Sequence, residues 1–268
     1  MGLITAKMKQ GWEAITSRRY WEWVWLYFRY YRKKTSRPFP VRFLGYRLEI
    51  LDGASFVYQY KDIFFREEYR FLSGHGNPVI VDCGANIGMS CIYFKRRYPG
   101  AVIQAVEADP EIAGLLSRNL RENGFADVEV LSKAVWTDDR GVIFKPDGAD
   151  GGHIAGQESG AAIPSISLAE LIGKYPRVDL LKMDIEGEEG KVLSACGPAL
   201  SRVEQIIVEY HSRVGKPQDL GGILTLLESL GFRYLVLPVT RKEQPLSDGM
   251  PPGGEMDLQL NIFARKQP

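Results

Sequence analysis

Three polar clusters stand at the ends of apolar, strand-like runs, and their residue types suit ligand binding and proton transfer. In the first, VIVDCGANIG (residues 79 to 88), Asp82 closes a run of buried-strand type and enters a Gly84-x-x-x-Gly88 turn that leads into helical sequence. Glycine at both positions lets the backbone turn sharply and approach a ligand, while amides opening the next helix point into the same space. Glu107 closes the next apolar run, 19 residues after Gly88, where an acid commonly accepts hydrogen bonds from the two hydroxyls of a ribose. Asp109-Pro110 behind it already supplies a helix cap, which leaves Glu107 for a ligand. A pyrophosphate usually asks for Gly-x-Gly-x-x-Gly spacing, and Asn86 stands here in place of the middle glycine. An adenosine ligand without a phosphate has no such requirement.

The second cluster is LLKMDIEGEE (180 to 189), with Lys182, Asp184, Glu186, Glu188 and Glu189. Strand alternation puts Lys182 and Asp184 on one side, and Gly187 permits a turn into the following helix. The helix dipole accounts for Glu188 and Glu189 but not for Asp184 at the tip of a buried strand. The third cluster, VEYH (208 to 211), places Glu209 and His211 on one strand face, and histidine suits proton transfer near neutrality. Asp184 or His211 is therefore expected to be a base or to orient one, with Glu186 and Glu209 shaping the site. A divalent ion on Asp184, Glu209 and His211 is a second way to activate a hydroxyl, but hard cations take more oxygens and none is expected. Cys83, Cys91 and Cys196 lack metal-ligand spacing and read as reduced thiols of a cytoplasmic protein.

The elements that must position these clusters alternate from Val79 onward. Strands are predicted at 79–82, 101–107, 127–135, 178–184, 203–210, 232–238 and 257–265, and helices at 87–98, 110–123, 188–196 and 218–230. Such alternation implies a mostly parallel sheet covered on both faces, with ligands beyond the strands' carboxyl ends where strand order reverses. The last strand follows the turn-rich segment 240–256 without a helix, which predicts an antiparallel entry. Between the third and fourth strands, 140–145 and 162–167 read as short strands around a mobile Pro-Asp-Gly-rich loop. Ahead of the core, 46–51 and 54–58 read as a hairpin turning at Asp52-Gly53, followed by a helix over 63–72. Three regions result: a basic helical extension (1–40), a hairpin and helix (41–77), and the main domain (78–268).

The 268-residue chain carries a net charge of +1, yet residues 1–47 hold eleven Lys/Arg against two Asp/Glu, so residues 48–268 carry −8. An acidic body argues against phosphate-gripping nucleic-acid binding. The extension interleaves Trp12, Tyr20, Trp21, Trp23, Trp25, Tyr27, Phe28, Tyr30 and Tyr31 with arginines and lysines. Its longest apolar stretch, Trp23–Phe28, is too short to span a bilayer and carries no cleavage signal. Residues 12–34 are expected to form a peripheral contact with the inner face of a membrane, or to pack on the body or on a second subunit.

Taken in order and spacing, VIVDCGANIGMSCIYFKRRYPG, VEADP, SRNLRENGF, LLKMDIEGEE, IIVEYH and LGFRY resemble the FkbM family of S-adenosylmethionine-dependent methyltransferases over about Val79 to Leu237. Ala108 departs from the family, where proline often follows the ribose-binding acid. The resemblance implies a Rossmann-like class I methyltransferase fold with a seven-stranded sheet. It also implies a cofactor site formed by Asp82, Gly84, Ala85, Asn86, Gly88, Glu107, Ala108 and Ala134. Transfer of a methyl group to a hydroxyl of a sugar, glycan or polyketide-type product is the activity it implies. A reading from another class is a non-catalytic scaffold of the same fold, which binding of the cofactor would count against.

Overall fold

Residues 17–145, 152–154, 160–239 and 256–267 are described by the computed structural model. Trp12, the centre of the predicted loop (146–151) and the turn-rich residues 240–255 lie outside them. The described chain divides into two compact units, residues 17–70 and the residues that follow.

In the first unit, helix α1 (Arg18–Tyr30) precedes a hairpin of β1 (Lys34–Phe43) and β2 (Tyr46–Asp52), then helix α2 (Gly53–Gln59), which runs into a π-helical turn, Tyr60–Phe65. Its core is aromatic: the Phe43 ring lies 5.7 Å from Phe56, 5.8 Å from Tyr60 and 5.1 Å from Phe64. The hairpin expected at Asp52-Gly53 is displaced. It turns at Leu44-Gly45, both at positive φ (47° and 89°), a conformation that matches strand twist. Asp52 instead caps α2, accepting from the amides of Ala54 and Ser55, and a Cβ on Gly53 would collide with the Tyr30 carbonyl. The helix expected at 63–72 accordingly falls earlier, over residues 53–65.

The second unit follows the expected alternation. In order come β3 (Val79–Cys83), α3 (Met89–Arg97), β4 (Val102–Glu107), α4 (Pro110–Glu122), β5 (Glu129–Ser132), β6 (Ala134–Trp136), β7 (Val142–Lys145), β8 (His153–Ile154), β9 (Ala161–Ile163) and β10 (Ser165–Ser167). They are followed by α5 (Leu168–Gly173), β11 (Leu180–Met183), α6 (Glu189–Cys196), β12 (Gln205–Arg213), α7 (Leu220–Ser229), β13 (Phe232–Pro238) and β14 (Met256–Lys266). The main sheet has seven strands in the order β13-β14-β12-β11-β3-β4-β5. All neighbours from β12 to β5 are parallel, and β14 runs antiparallel between β12 and β13, as its missing helix predicts. The long strand expected over 127–135 breaks at Lys133, whose amide turns back to the Glu107 and Leu131 carbonyls, and β6 pairs with β10 instead. Strand order reverses between β3 and β11, so a crevice opens beyond the carboxyl ends of those two strands. No helix among the described residues is long and apolar enough to cross a membrane.

Candidate active site

The glycine turn after β3 is closed on itself. Gly84 and Ala85 both donate to the Val106 carbonyl (2.9 and 3.0 Å), Asn86 to Glu107 Oε2 (2.9 Å), Ile87 to the Asn86 side chain (2.7 Å) and Gly88 to the Ala85 carbonyl (3.0 Å). Every amide from 84 to 88 is thus used inside the protein, which leaves no cradle for a pyrophosphate. Both glycines have positive φ, but each is also needed for packing: a Cβ on Gly84 would strike the Asp184 carbonyl, and one on Gly88 would meet Leu116. Gly84 therefore lets the loop after β3 touch the loop after β11. Asn86 takes φ 47° at the turn's tip, a conformation asparagine tolerates.

Glu107 Oε1 accepts from the Asp109 amide (2.9 Å), so each carboxylate oxygen holds one backbone donor and keeps a second acceptor position. That arrangement fits the paired hydroxyls of a ribose. Burial raises its pKa to about 7, against the two backbone donors that favour the ionised form. Asp82, which the family resemblance counts among the cofactor-site residues, is fully enclosed. It accepts from the Ser90 hydroxyl, and its Oδ1 lies 3.5 Å from the Lys182 ammonium, directly across the β3–β11 register. Ala85 and Ala134 are buried, and Ala108 packs against Ala134, Phe144 and Ile163, forming an apolar patch after β4.

Beyond β11 and along the C-terminal half of β12, which runs on past the predicted end at 210, the predicted acids and histidine do meet. His211 is buried, with Nε2 3.8 Å from Glu209 and 4.0 Å from Glu186, while Nδ1 lies 3.1 Å from Glu189. Burial disfavours its charge, but the Glu189 hydrogen bond and the charges of Asp184, Glu189 and Glu186 prevail and hold its pKa at about 10. Burial, then the charge of Asp184, pushes Glu209 to about 7. Asp184, Glu186 and His211 offer ligand atoms within 4.8 Å of one another, close enough for a cation. The two carboxylates already face protein cations: the His211 ring is 4.0 Å from Glu186, and the Lys182 ammonium is 3.6 Å from Asp184.

Three residues have partners that the sequence did not assign to them. Lys182 joins the two halves of the site, donating to the Gly84 carbonyl (2.6 Å) between Asp82 and Asp184. A lysine inside an apolar strand was its signal. Glu189, assigned to the helix dipole, is 1% exposed and accepts from the amides of Ile185 (3.2 Å) and Gly187 (3.0 Å) as well as facing His211. Gln259, opposite His211 on β14, donates to Glu209. Nothing in the sequence distinguishes Glu189 from Glu188 or marks Gln259.

Comparison with known proteins gives a consistent answer. A sequence model of the methyltransferase FkbM domain matches residues 82–234. Hexuronic acid methyltransferase AglP of Haloferax volcanii is 31% identical over 154 residues, covering 56% of this chain and 62% of that protein. The 31-O-demethyl-FK506 methyltransferase FkbM of Streptomyces tacrolimicus is 25% identical over 209 residues, covering 64% of this chain and 76% of its own. Among solved structures, a methyltransferase FkbM from Methylobacillus flagellatus superimposes with a TM-score of 0.50 at 19% identity, over 76% of this chain and 47% of that one, a likeness of fold.

Proposed function

The chain belongs to the FkbM domain family of S-adenosylmethionine-dependent methyltransferases, and on that premise we propose that it methylates a hydroxyl of a sugar, a glycan or glycolipid, or a polyketide-type product. The observation that carries this reading is the convergence of Asp184 and Glu186, beyond β11, with Glu209 and His211 of β12, beside the loop that contains Gly84. Carboxylates in such number suit an acceptor bearing several hydroxyl donors. One relative is named for a hexuronic acid and another for 31-O-demethyl-FK506, which agrees with such acceptors.

When bound, the sulfonium cofactor supplies an already activated methyl group. Glu107 would take the ribose hydroxyls on its two remaining acceptor positions, and Ala108 and Ala134 would border the adenine. Glu209 takes the proton of the acceptor hydroxyl, since a carboxylate with a pKa of about 7 is both available and basic near neutrality. His211 is the less suitable base: at a pKa of about 10 it already carries its proton. It serves instead as an imidazolium that donates from Nε2 and offsets the surrounding carboxylates, with Asp184 and Glu186 orienting the acceptor. Alignment supplies on the order of 7 kcal/mol of the barrier reduction, and the positioned base adds about 10²- to 10⁴-fold. The three cysteines are buried and free, which supports a reducing, cytoplasmic setting.

Incubation with methyl-labelled cofactor and candidate hydroxyl acceptors, followed by mass-spectrometric location of the label, tests the reading. Label on oxygen is expected, unchanged after exhaustive chelation. Glu209→Gln is expected to lower kcat by about 10²-fold or more while cofactor affinity stays within about twofold. Label on nitrogen or carbon would reject the O-transfer assignment, and full turnover by the variant would reject Glu209 as base.

A further inference from the structure

Helix α1 buries one apolar side and leaves a second apolar stripe largely exposed. One side is committed: Leu26 is fully buried, Trp23 stacks on Phe65 with rings 6.4 Å apart, and Tyr30 lies against Phe39 and Phe56. The opposite side holds Trp21, Trp25 and Phe28, spaced i, i+4, i+7 and so aligned in one stripe, at 56%, 54% and 84% exposure. Arg18, Arg29, Arg32 and Lys33 are exposed along and beyond this stripe. The only acid of the helix, Glu22, turns away to accept from the Leu44 amide (2.8 Å) and the Tyr60 hydroxyl (3.1 Å).

We propose that the Trp21–Trp25–Phe28 stripe and its flanking cations dock α1 on an anionic lipid surface. Tryptophan favours the boundary between headgroups and acyl chains, and arginine and lysine favour anionic headgroups. With 13 residues the helix is about 20 Å long, so it lies in the interface and does not cross it. Charge also selects this occupant over a second copy of the chain. A two-fold contact through the stripe would bring Arg18, Arg29, Arg32 and Lys33 of both copies together, whereas an anionic bilayer neutralises them.

Co-sedimentation of the full chain with vesicles decides the matter, comparing phosphatidylcholine alone with phosphatidylcholine containing phosphatidylglycerol. Binding is expected only to the anionic vesicles, weakening with added salt. The combined Trp21→Ser, Trp25→Ser and Phe28→Ser variant is expected to lose at least about tenfold in vesicle affinity. Cofactor binding by calorimetry should be retained, which shows that the variant is folded and separates this outcome from failure of the acceptor assignment. Absence of pelleting with anionic vesicles, or equal pelleting of wild type and variant, overturns the proposal. Light scattering that shows a wild-type dimer dissolved by the same substitutions would give the stripe to a second copy instead.

Discussion

Glu188 and Glu189 are chemically identical neighbours, and the fold separates their tasks: Glu189 turns inward to two backbone amides and the His211 ring, while Glu188 faces Lys216 at 3.9 Å. Glu189 is thus a positioning residue that fixes the imidazole and favours its charged form. A pH profile of kcat/KM follows from these environments. Activity should rise as pH passes about 7, where Glu209 loses its proton, and fall as pH passes about 10, where His211 loses its own. Glu107 also titrates near 7, so the acid limb needs assignment: its disappearance in Glu209→Gln gives it to Glu209, and its persistence gives it to Glu107. In Glu189→Gln the shape of the pair is kept but its charge is lost, so the alkaline limb should move down by about one pH unit or more. An unmoved alkaline limb would show that Glu189 only fills space.

At the scale of elements, the loops after β3 and β11 act as one piece, because the Gly84 position contacts the Asp184 carbonyl and Lys182 donates to the Gly84 carbonyl. Gly84→Ala would put a Cβ into that contact at a φ of 79°, and it is expected to cost about 2 kcal/mol or more of stability and to weaken cofactor binding. Denaturant unfolding and calorimetry check both, and a variant as stable as wild type would remove the link between the loops. These same elements show what a sequence can disclose. β3, β4 and β11 were legible because their apolar runs end at Asp82, Glu107 and Asp184, and the antiparallel β14 because no helix precedes it. The hairpin was not, since Asp-Gly is a strong turn signal whereas Leu44 at φ 47° is an uncommon residue for that conformation. Asp52 was drawn off by the amides it caps, a competition that local spacing does not reveal. The acids of the proposed site were singled out because they lie at or near the carboxyl ends of apolar strand runs. Their partners Glu189 and Gln259 were not, because those pairings are set by how α6 and β14 meet β12.

Across the second unit as a whole, the proposed site and a hydrogen-bonded structural knot sit at opposite ends of the same strands. Where β3 and β11 begin, far along both strands from Asp82 and Asp184, the buried Asp179 gathers the Ser73 hydroxyl (2.8 Å), the His75 ring (2.9 Å), the Val79 amide (2.9 Å) and the Arg177 guanidinium (3.1 and 3.2 Å). Gln205, at the start of β12, reaches the Leu72 carbonyl (2.7 Å) and the Asp179 carbonyl (3.4 Å), so the knot spans three strand origins. Burial opposes ionisation of Asp179, but the hydrogen bonds outweigh it and lower its pKa below the ordinary 3.8. A carboxyl depressed in the folded state stabilises the protein above its unfolded pKa and ceases to do so as pH falls through the folded value. Its contribution should therefore be full at neutral pH and lost only in strong acid, below 3.8. Asp179→Ala would leave the strand-opening Val79 amide, the Ser73 hydroxyl and a partly exposed Arg177 guanidinium without their acceptor, at a cost of about 2 kcal/mol. Since no group of the knot belongs to the crevice, cofactor affinity and the pH limbs near 7 and 10 should be unchanged wherever the variant remains folded. Unfolding by urea at neutral pH and at pH about 3, beside calorimetry with the cofactor, measures both halves of this expectation. A variant that kept its stability but lost cofactor affinity would show that the two ends of the sheet are coupled.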